Sequence, residues 1–499
     1  MITKTASYVL QRQQERIQAR LNDPNTPGLV AWHSLGSGKS LTALNAIQDR
    51  MRQAPDKRGL MVVPAPLVNN MYKEIDKHQL DIPKDRLDIM SYDKAVNRAE
   101  ELSQNPYSIA VLDEGHKLRN TNTKRYTHLR KILGAADKRL ILTGTASYNR
   151  LSDIAPLINL AANPKKNEIL PADPKEFNRK YTRDRIVKPS ILGRIIGKPS
   201  YTVQELNNKA DLLPKLKQYV DYHNSLDVNP EDFPTLNEKV VPVDMDGPQK
   251  SMYKYMEGNM PWIIRKKIQW GLPMNKQESE SLNAFSTGVR QVSDSIGPYK
   301  KDGDQPDHTY PSPKIHQAVA SLHERIQKDP GHRAVVYSNF IEAGLKPYAA
   351  ELKKRGIPHT IFTGGVTQKE KKKIVDGYND LTPGTGPKVL LLSSSGGEGL
   401  DLKGVRQVQV LEPHFNKSKI DQVVGRARRY KSHAHLPQDQ RNVDVEYFHS
   451  QMPRGLISRF ITKNPSKNID QYLYESANEK DKLTQQLVDV VKGSSGGPS

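Results

Sequence analysis

A glycine-rich segment between a predicted strand and a predicted helix constrains this chain most. Residues 32–40 read Trp-His-Ser-Leu-Gly-Ser-Gly-Lys-Ser, with an apolar run at 29–31 before them and a helical pattern at 41–47 after them. Such a turn directs backbone N–H groups and the positive end of the helix towards an anion. The lysine then reaches phosphate oxygens, and the serine hydroxyl can ligate Mg²⁺. The segment therefore predicts a loop that binds nucleotide phosphates, made of His33, Gly36, Ser37, Gly38, Lys39 and Ser40.

Composition narrows the class of protein further. The chain has 499 residues and no cysteine, which excludes disulfides, thiolate zinc sites and cysteine catalysis. No stretch approaches the ~20 apolar residues of a membrane span, and the polar residues 1–21 do not resemble a secretory signal. The formal net charge of +21 favours a polyanionic partner such as nucleic acid, although a solvated basic surface is the alternative. We expect an intracellular, soluble protein with no membrane partner.

Short apolar runs alternate with helical patterns in two separate parts of the chain. This alternation predicts an α/β fold of doubly wound parallel sheets, with ligands at the carboxyl ends of the strands. The first part gives strands at Leu29–Trp32, Leu60–Val63, Leu87–Met90, Ile109–Leu112 and Arg139–Leu142. The second part gives strands at Val335–Tyr337, Thr360–Phe362, Val389–Leu392, Gln407–Leu411 and Val443–Tyr447.

The predicted domain boundaries follow from this alternation. Residues 1–162 form a first α/β domain and residues 313–465 a second one. Between them, residues 163–312 are rich in Pro, Lys and Arg and look mostly helical, so they are expected to be an insertion that ends in a linker. Residues 466–499 are expected to form a helix and a flexible tail. Helical patterns in the insertion are predicted at Leu212–His223, Gly247–Glu257 and Lys276–Ser295.

Two acids follow the apolar strand at residues 109–112. The segment 109–116 reads Ile-Ala-Val-Leu-Asp-Glu-Gly-His. Phosphoryl transfer needs one carboxylate to hold the metal and a second group to orient the attacking water. Asp113 fits the first role and Glu114 the second. An ordinary charged strand end is the alternative, and the phosphate loop upstream disfavours it.

Two further segments carry groups suited to the same reaction. Thr143 and Thr145, in a Thr-Gly-Thr turn after a strand, can sense the γ-phosphate, or the turn is merely tight. Arg426 and Arg429 lie one helical turn apart, and guanidinium groups stabilise the charge of a transferred phosphoryl group. A basic helix face for nucleic acid is the alternative, and Arg428 is assigned to it. The histidines show no metal-ligand spacing, and His433 is expected on a surface loop together with its neighbour His435.

In this order, the motifs resemble those of the superfamily 2 helicases and translocases, nearest to the SNF2-like branch. Within that branch the chain looks most like the nucleoside triphosphatase I and early transcription factor type ATPases of large DNA viruses. The likeness covers nearly the whole chain and is weakest between residues 163 and 311. His33, Gly115 and Ala146 depart from the usual residues of the family. The segments that carry the likeness are 32–40, 113–116, 143–145, 396–402 and 422–429.

The resemblance implies two RecA-like domains that hold ATP and Mg²⁺ between them, with nucleic acid across both. It assigns the metal to Ser40 and Asp113, and the adenine contact to Gln14 (or Gln13). Arg426 and Arg429 become finger arginines. The resemblance also assigns the coupling between the state of the bound nucleotide and the grip on nucleic acid to Gly399, Asp401 and Gln422. It places the contacts with nucleic acid at Ser91, Tyr92, Thr143, Thr145, Asn339 and Thr363.

These features predict an ATP hydrolase that moves along nucleic acid, with double-stranded DNA as the preferred track. One alternative is a helicase that separates strands of DNA or RNA. Another is a nucleic-acid-binding transcription or assembly factor in which ATP is a slow switch. A kinase of small metabolites is disfavoured, because it has no use for a second α/β domain. We also expect a monomer recruited by a protein partner, and a viral origin would place it in the host cell and the virion.

Overall fold

The computed structural model describes most of the chain as two compact units. Unit 1 comprises the described residues within Met1–Arg185, Gln204–Val228 and Lys480–Ser499, and unit 2 those within Ile186–Val203 and Asn229–Glu479. These divisions differ from the predicted boundaries at residues 162 and 312, because strands from the predicted insertion join both sheets. The described residues are 10–34, 36–144, 150–162, 168–189, 199–228, 230–302, 305–310, 312–382, 384–394, 400–453 and 467–492.

The core of unit 1 is a six-stranded parallel sheet. Its strands are β1 (Gly28–His33), β2 (Arg58–Val63), β3 (Leu87–Ser91), β4 (Tyr107–Leu112), β5 (Ala136–Thr143) and β8 (Val220–His223). They lie side by side in the order β3-β2-β4-β5-β1-β8. Alternate residues of each strand point to opposite faces, so that Val30 and Trp32 join one buried cluster while Leu29 and Ala31 join another. The sheet is therefore covered on both faces, as the sequence predicted for the first domain.

Strand β8 corrects the sequence-based prediction for residues 212–223. The helical pattern ends at Tyr219, and Val220–His223 pairs in parallel with β1 instead. A run of four residues is too short to show a strand period. Its conformation is decided by hydrogen bonds to a strand that lies about 190 residues away in the sequence.

Helices of unit 1 cover both faces of this sheet. Helix α2 begins at Lys39, directly after the glycine-rich turn, and helix α1 packs against it. The helices are α1 (Arg12–Asn22), α2 (Lys39–Gln53), α3 (Val68–Lys77), α4 (Tyr92–Asn97), α5 (Ala99–Leu102), α6 (Lys124–Leu133), α7 (Ile154–Ala162), α8 (Pro174–Tyr181), α9 (Lys209–Tyr219) and α10 (Ser225–Val228). Strands β6 (Thr182–Val187) and β7 (Tyr201–Leu206) form a separate two-stranded sheet.

Unit 2 is built on a second six-stranded parallel sheet. Its strands are β9 (Thr235–Asp244), β12 (Ala334–Tyr337), β13 (His359–Phe362), β14 (Val389–Leu392), β15 (Gln407–Val410) and β16 (Asn442–Gln451), in the order β13-β14-β12-β15-β16-β9. Strand β9 pairs with β16 along all of its length. Residues 235–244 thus belong to the second sheet rather than to a helical insertion. The fold class predicted from the sequence, two doubly wound parallel sheets, is confirmed.

The first three helices after β9 form a layer with its own buried cluster. The cluster includes Tyr253, Ile264 and Val292, one from each helix, together with Leu473 of the last helix. Lys301–Asp302 and Gln305–Pro306 form β10 and β11, a small antiparallel sheet. The remaining helices are α11 (Gly247–Gly258), α12 (Trp262–Trp270), α13 (Lys276–Asp294), α14 (Pro313–Lys328), α15 (Lys346–Lys354), α16 (Gln368–Asn379), α17 (Lys417–Ala427) and α18 (Ile469–Lys492).

Two further observations bear on the sequence-based predictions. His433 is 2% exposed, which corrects its placement on a surface loop. Its ring lies between the Ser432 hydroxyl and the Val405 carbonyl, and no local pattern reveals the contact with Val405, which is 28 residues away. Within the described ranges, no helix has the length and apolar character needed to cross a membrane.

Candidate active site

The glycine-rich loop connects β1 to α2 at the carboxyl end of the strand. Gly36 and Gly38 have φ values of 80° and 76°, which a side chain would strain. The Lys39 ammonium donates hydrogen bonds to the carbonyl oxygens of His33 (3.0 Å) and Ser34 (2.9 Å). Ser37 is buried and Ser40 is half-buried in the first turn of the helix. The loop thus has the strand–turn–helix arrangement that binds phosphate.

Two glutamines of α1 contact the backbone of this loop. Gln13 Nε2 donates to the carbonyl of Ser37 (3.2 Å), and Gln14 Nε2 donates to the carbonyl of Gly38 (3.4 Å). A Cβ atom on Gly38 would lie 2.9 Å from Gln14 Nε2. Helix α1 is therefore held directly against the loop, and the predicted adenine contact by Gln14 stays a prediction.

Asp113 and Glu114 follow β4 on the same sheet. Asp113 is buried, and its backbone N–H donates to the carbonyl of Val62 (2.9 Å). Burial and the adjacent Glu114 charge raise the pKa of Asp113 to about 6. Burial would also raise the pKa of Glu114, but the hydrogen bond from His116 and the charges of His116 and Lys39 lower it to about 2. The Lys39 charge acts on both carboxylates, so the loop and the acid pair share one electrostatic site.

A chain of polar side chains leads from Glu114 into the sheet. Glu114 Oε2 lies 3.2 Å from His116 Nδ1, and Thr143 Oγ1 lies 3.5 Å from the same nitrogen. The Tyr92 hydroxyl donates to the carbonyl of Asp113 (2.6 Å). Thr143 and Tyr92 are buried, which argues against the predicted contacts with nucleic acid. Both side chains instead support the acid pair.

The remaining predictions for unit 1 have separate outcomes. Ser91 accepts a hydrogen bond from the backbone N–H of Lys94 and caps α4. This role explains a serine at that position without a ligand. Thr145 lies outside the described residues.

Three charged residues near the loop are missing from the sequence-based set. The carboxylate of Asp221, in β8, contacts His33 as well as Arg16 and Arg20 of α1. Asp221 lies in a segment that the sequence predicted to be helical and far from any motif. No local signal singles it out, because strand pairing brings it to the loop.

In unit 2 the two predicted finger arginines lie close to the segment that carries Asp401. Arg426 Nη1 donates to the carbonyl of Leu400 (3.3 Å), and Arg429 Nη1 lies 3.5 Å from Asp401 Oδ1. Gln422 is on the same helix as Arg426, one turn earlier, and is half-buried. The fold thus groups these predicted residues, apart from Gly399, which lies outside the described residues.

The other two predictions for unit 2 concern contacts with nucleic acid. Asn339 Nδ2 donates to the buried Glu412 (2.9 Å), and Asn339 Oδ1 accepts from the Tyr337 hydroxyl (3.1 Å). Both ends of this amide are therefore bonded within the protein, which argues against a phosphate contact. Thr363 follows β13 and is half-buried, and its role stays a prediction.

A phosphate loop and an acid pair at the carboxyl ends of strands in one parallel sheet define a P-loop nucleotide hydrolase. Comparison with protein families shows to which branch of these hydrolases the chain is similar. The SNF2-related domain matches residues 84–296, the helicase conserved C-terminal domain matches 317–431, and the res subunit of type III restriction enzymes matches 7–150.

Individual relatives extend over almost the whole chain. A putative ATP-dependent RNA helicase, L538 of Acanthamoeba polyphaga mimivirus, is 30% identical over 94% of this chain and 93% of its own length. A termination factor NPH-I homolog of African swine fever virus (isolate Tick/Malawi/Lil 20-1/1983) is 24% identical over 98% of this chain and 80% of its own. A solved Sulfolobus solfataricus SWI2/SNF2 ATPase core in complex with dsDNA aligns over 97% of both chains with 17% identity, but its TM-score of 0.39 is too low to support an argument.

The chain belongs to the SNF2-like branch of the superfamily 2 helicases and translocases. It is an ATP-dependent enzyme of that family, an ATP hydrolase. The family and the enzyme class predicted from the motifs are confirmed. The roles of individual site residues stay predictions.

Proposed function

We propose that this ATPase uses hydrolysis to move along duplex DNA. The observation that carries the proposal is the match of one chain to both the SNF2-related domain and the helicase C-terminal domain. The net charge of +21 supports a polyanionic track. Contacts to such a track are chiefly to phosphates, so binding should be sensitive to salt and weakly dependent on sequence.

The donor atoms at the acid pair fit Mg²⁺. Mg²⁺ prefers oxygen ligands, and it is usually bound by one or two carboxylates together with substrate phosphates. Asp113 offers a buried carboxylate whose negative charge a cation would compensate, and Ser40 offers a hydroxyl at the start of α2. We assign the ion to these two residues. When bound, Mg²⁺ neutralises charge on the phosphate oxygens.

The chain's own side chains have separate parts in hydrolysis. Lys39 binds the β- and γ-phosphate oxygens, since its ammonium already lies at the loop. Glu114 is ionised at neutral pH and accepts a hydrogen bond from the attacking water, which it orients. Arg426 and Arg429 stabilise the negative charge that the transferred phosphoryl group carries.

A strand-separating helicase is the second candidate function. The mimivirus relative L538 is described as a putative ATP-dependent RNA helicase. That description favours RNA or a single strand as the track, and it would make separation of strands the outcome of hydrolysis.

One set of ATPase measurements tests these proposals. The rates of the wild-type protein, Lys39→Ala and Glu114→Gln are compared without nucleic acid and with duplex DNA, single-stranded DNA or RNA. Strong stimulation by duplex DNA that both substitutions abolish supports the translocase, and displacement of a triplex strand then tests movement. Glu101→Gln, at an exposed acid of the same unit, is the matched control and should behave as wild type. Stimulation only by single strands or RNA would favour the helicase, and no stimulation would overturn the motor.

A further inference from the structure

We infer that Asp221 is a positioning residue for the phosphate loop, acting through His33 and through Arg16 of α1. This inference rests on the proposed nucleotide binding at that loop. It concerns residues of this chain that lie outside the motifs, and it gives His33, which replaces the usual first glycine, a definite task.

The Asp221 carboxylate joins α1 to the first residue of the loop. Arg16 donates from Nε to Oδ2 (2.6 Å) and from Nη2 to Oδ1 (2.8 Å), and His33 Nε2 lies 2.8 Å from Oδ1. Arg20 Nη1 lies 3.5 Å from Oδ2. Asp221 is 2% exposed and His33 is fully buried. Charge-assisted bonds of this kind are short and directional, so they fix the side chains that share the carboxylate.

The loop end of β8 holds the neighbouring residue of the loop. The backbone N–H of Ser34 donates to the carbonyl of His223 (2.9 Å). The Ser34 hydroxyl accepts a hydrogen bond from the backbone N–H of Ser225 (3.0 Å). His33 and Ser34 are the two residues whose carbonyl oxygens receive the Lys39 ammonium. Residues 221–225 therefore hold in place the two carbonyl oxygens that accept hydrogen bonds from the Lys39 ammonium.

The same carboxylate also holds α1, the helix that carries the predicted adenine contact, through Arg16. Arg16 lies on α1 between the glutamines that contact the loop and Arg20, which caps the end of α9. Fixing Arg16 therefore fixes the rotation of α1, and with it the position of Gln13 and Gln14 against Ser37 and Gly38. One buried acid thus sets the relative placement of helix α1 and the loop.

A positioning role and a purely electrostatic role of Asp221 predict opposite effects of Asp221→Asn on nucleotide binding. A negative charge near bound phosphates weakens binding, so a purely electrostatic role predicts tighter nucleotide binding in the variant. The positioning role predicts weaker binding. In the asparagine variant one carboxylate oxygen becomes an NH₂ group, which donates and cannot accept. If the remaining oxygen still accepts from Arg16 Nη2 and His33 Nε2, the amide nitrogen faces the Arg16 Nε donor, so Arg16 must move.

The test compares Asp221→Asn with Asp88→Asn, a matched control. Arg58 donates to Asp88 from Nε and Nη2 (both 2.9 Å), and this bidentate pair lies at the other edge of the same sheet. Affinity for a fluorescent ADP derivative, KM and kcat for ATP, and the midpoint of thermal unfolding are measured for each. We expect Asp221→Asn to weaken ADP binding and to raise KM about tenfold or more, with a smaller change in kcat. Asp88→Asn should lower the unfolding midpoint and leave KM unchanged.

A double-mutant cycle of Asp221 and His33 distinguishes the positioning role from a general loss of folding. His33→Ala removes the link, while His33→Gln keeps an amide N–H donor near the position of Nε2 and should recover part of the affinity. Asp221→Asn should raise KM less in the His33→Ala background than in wild type, because part of its effect passes through the His33 contact. Unchanged or tighter ADP binding in Asp221→Asn, full additivity in KM, or the same loss in Asp88→Asn would each overturn the inference. Failure of the wild-type protein to bind ADP would instead refute the proposed function.

Discussion

His116 Nδ1 lies 3.2 Å from Oε2 of Glu114, and the same nitrogen lies 3.5 Å from the Thr143 hydroxyl. Glu114 itself has a left-handed backbone, with φ of 55°. A residue in that conformation is held in place by its surroundings rather than by its own preference. The imidazole therefore fixes the direction of the carboxylate that we assign to the attacking water.

Replacing His116 should slow hydrolysis without weakening ATP binding. We expect His116→Ala to lower kcat about tenfold, because Glu114 loses the contact that orients it. KM for ATP should change little. The control is His78→Ala, since His78 Nε2 also lies 3.2 Å from a glutamate, Glu74, on the outer helix α3. A rise in KM with unchanged kcat would contradict this role for His116.

Gly38→Ala should impair the phosphate loop specifically. Its φ of 76° costs a residue with a side chain about 1–2 kcal/mol, and the new Cβ would lie 2.9 Å from Gln14 Nε2. We expect ADP affinity, measured by titration, to fall about tenfold or more. Gly356→Ala is the matched control, because its φ is 67° with no atom within 4 Å of the added Cβ. It should lose stability to a similar extent and bind ADP normally.

The buried Lys314 should be essential for the stability of unit 2. Its ammonium lies 2.9 Å from Asp294 Oδ1 and 2.8 Å from Asp470 Oδ2, and all three side chains are fully buried. Lys314→Met leaves two carboxylates without their cation, which costs about 3–5 kcal/mol. Lys328→Met breaks an exposed pair with Glu324 and should cost under about 1 kcal/mol. Urea denaturation measures both, and equal effects would contradict the prediction.

Unit 2 should lose stability in mild acid, in part through His433. Burial lowers the pKa of His433 to about 4, whereas an unfolded histidine has a pKa of about 6.5. As the pH falls below 6.5, the unfolded state therefore binds a proton that the folded state resists. The contribution of the neutral, buried His433 to the free energy of unfolding is therefore fully present above pH 6.5 and is lost as the pH falls towards 4.

The measurement is the free energy of unfolding of wild type and His433→Asn between pH 7 and pH 5. From the pKa shift, the stability advantage of wild type over the variant should shrink by about 2 kcal/mol over that range. His316→Asn, at a solvent-exposed ring, should follow the wild-type curve throughout. A constant difference between wild type and His433→Asn would show that the histidine is not the titrating group.

The sequence by itself determined the features that depend on neighbouring residues. The phosphate loop, the acids after β4 and the ten predicted strands are encoded by glycine placement and runs of apolar residues, which the chain carries locally. The same local order was enough to identify the family. Helix starts were also predictable, as for α2 after its glycine turn.

Only the tertiary structure decided which side chains meet across long separations. Asp221 reaches His33 because β8 pairs with β1, and a four-residue strand carries no pattern of its own. Tyr92 and Thr143 were expected to contact nucleic acid and His433 to lie at the surface, and packing buried all three against groups that use their hydrogen bonds. Such partners are set by the free energy of burying polar groups in pairs, a property of the folded core and of no single segment.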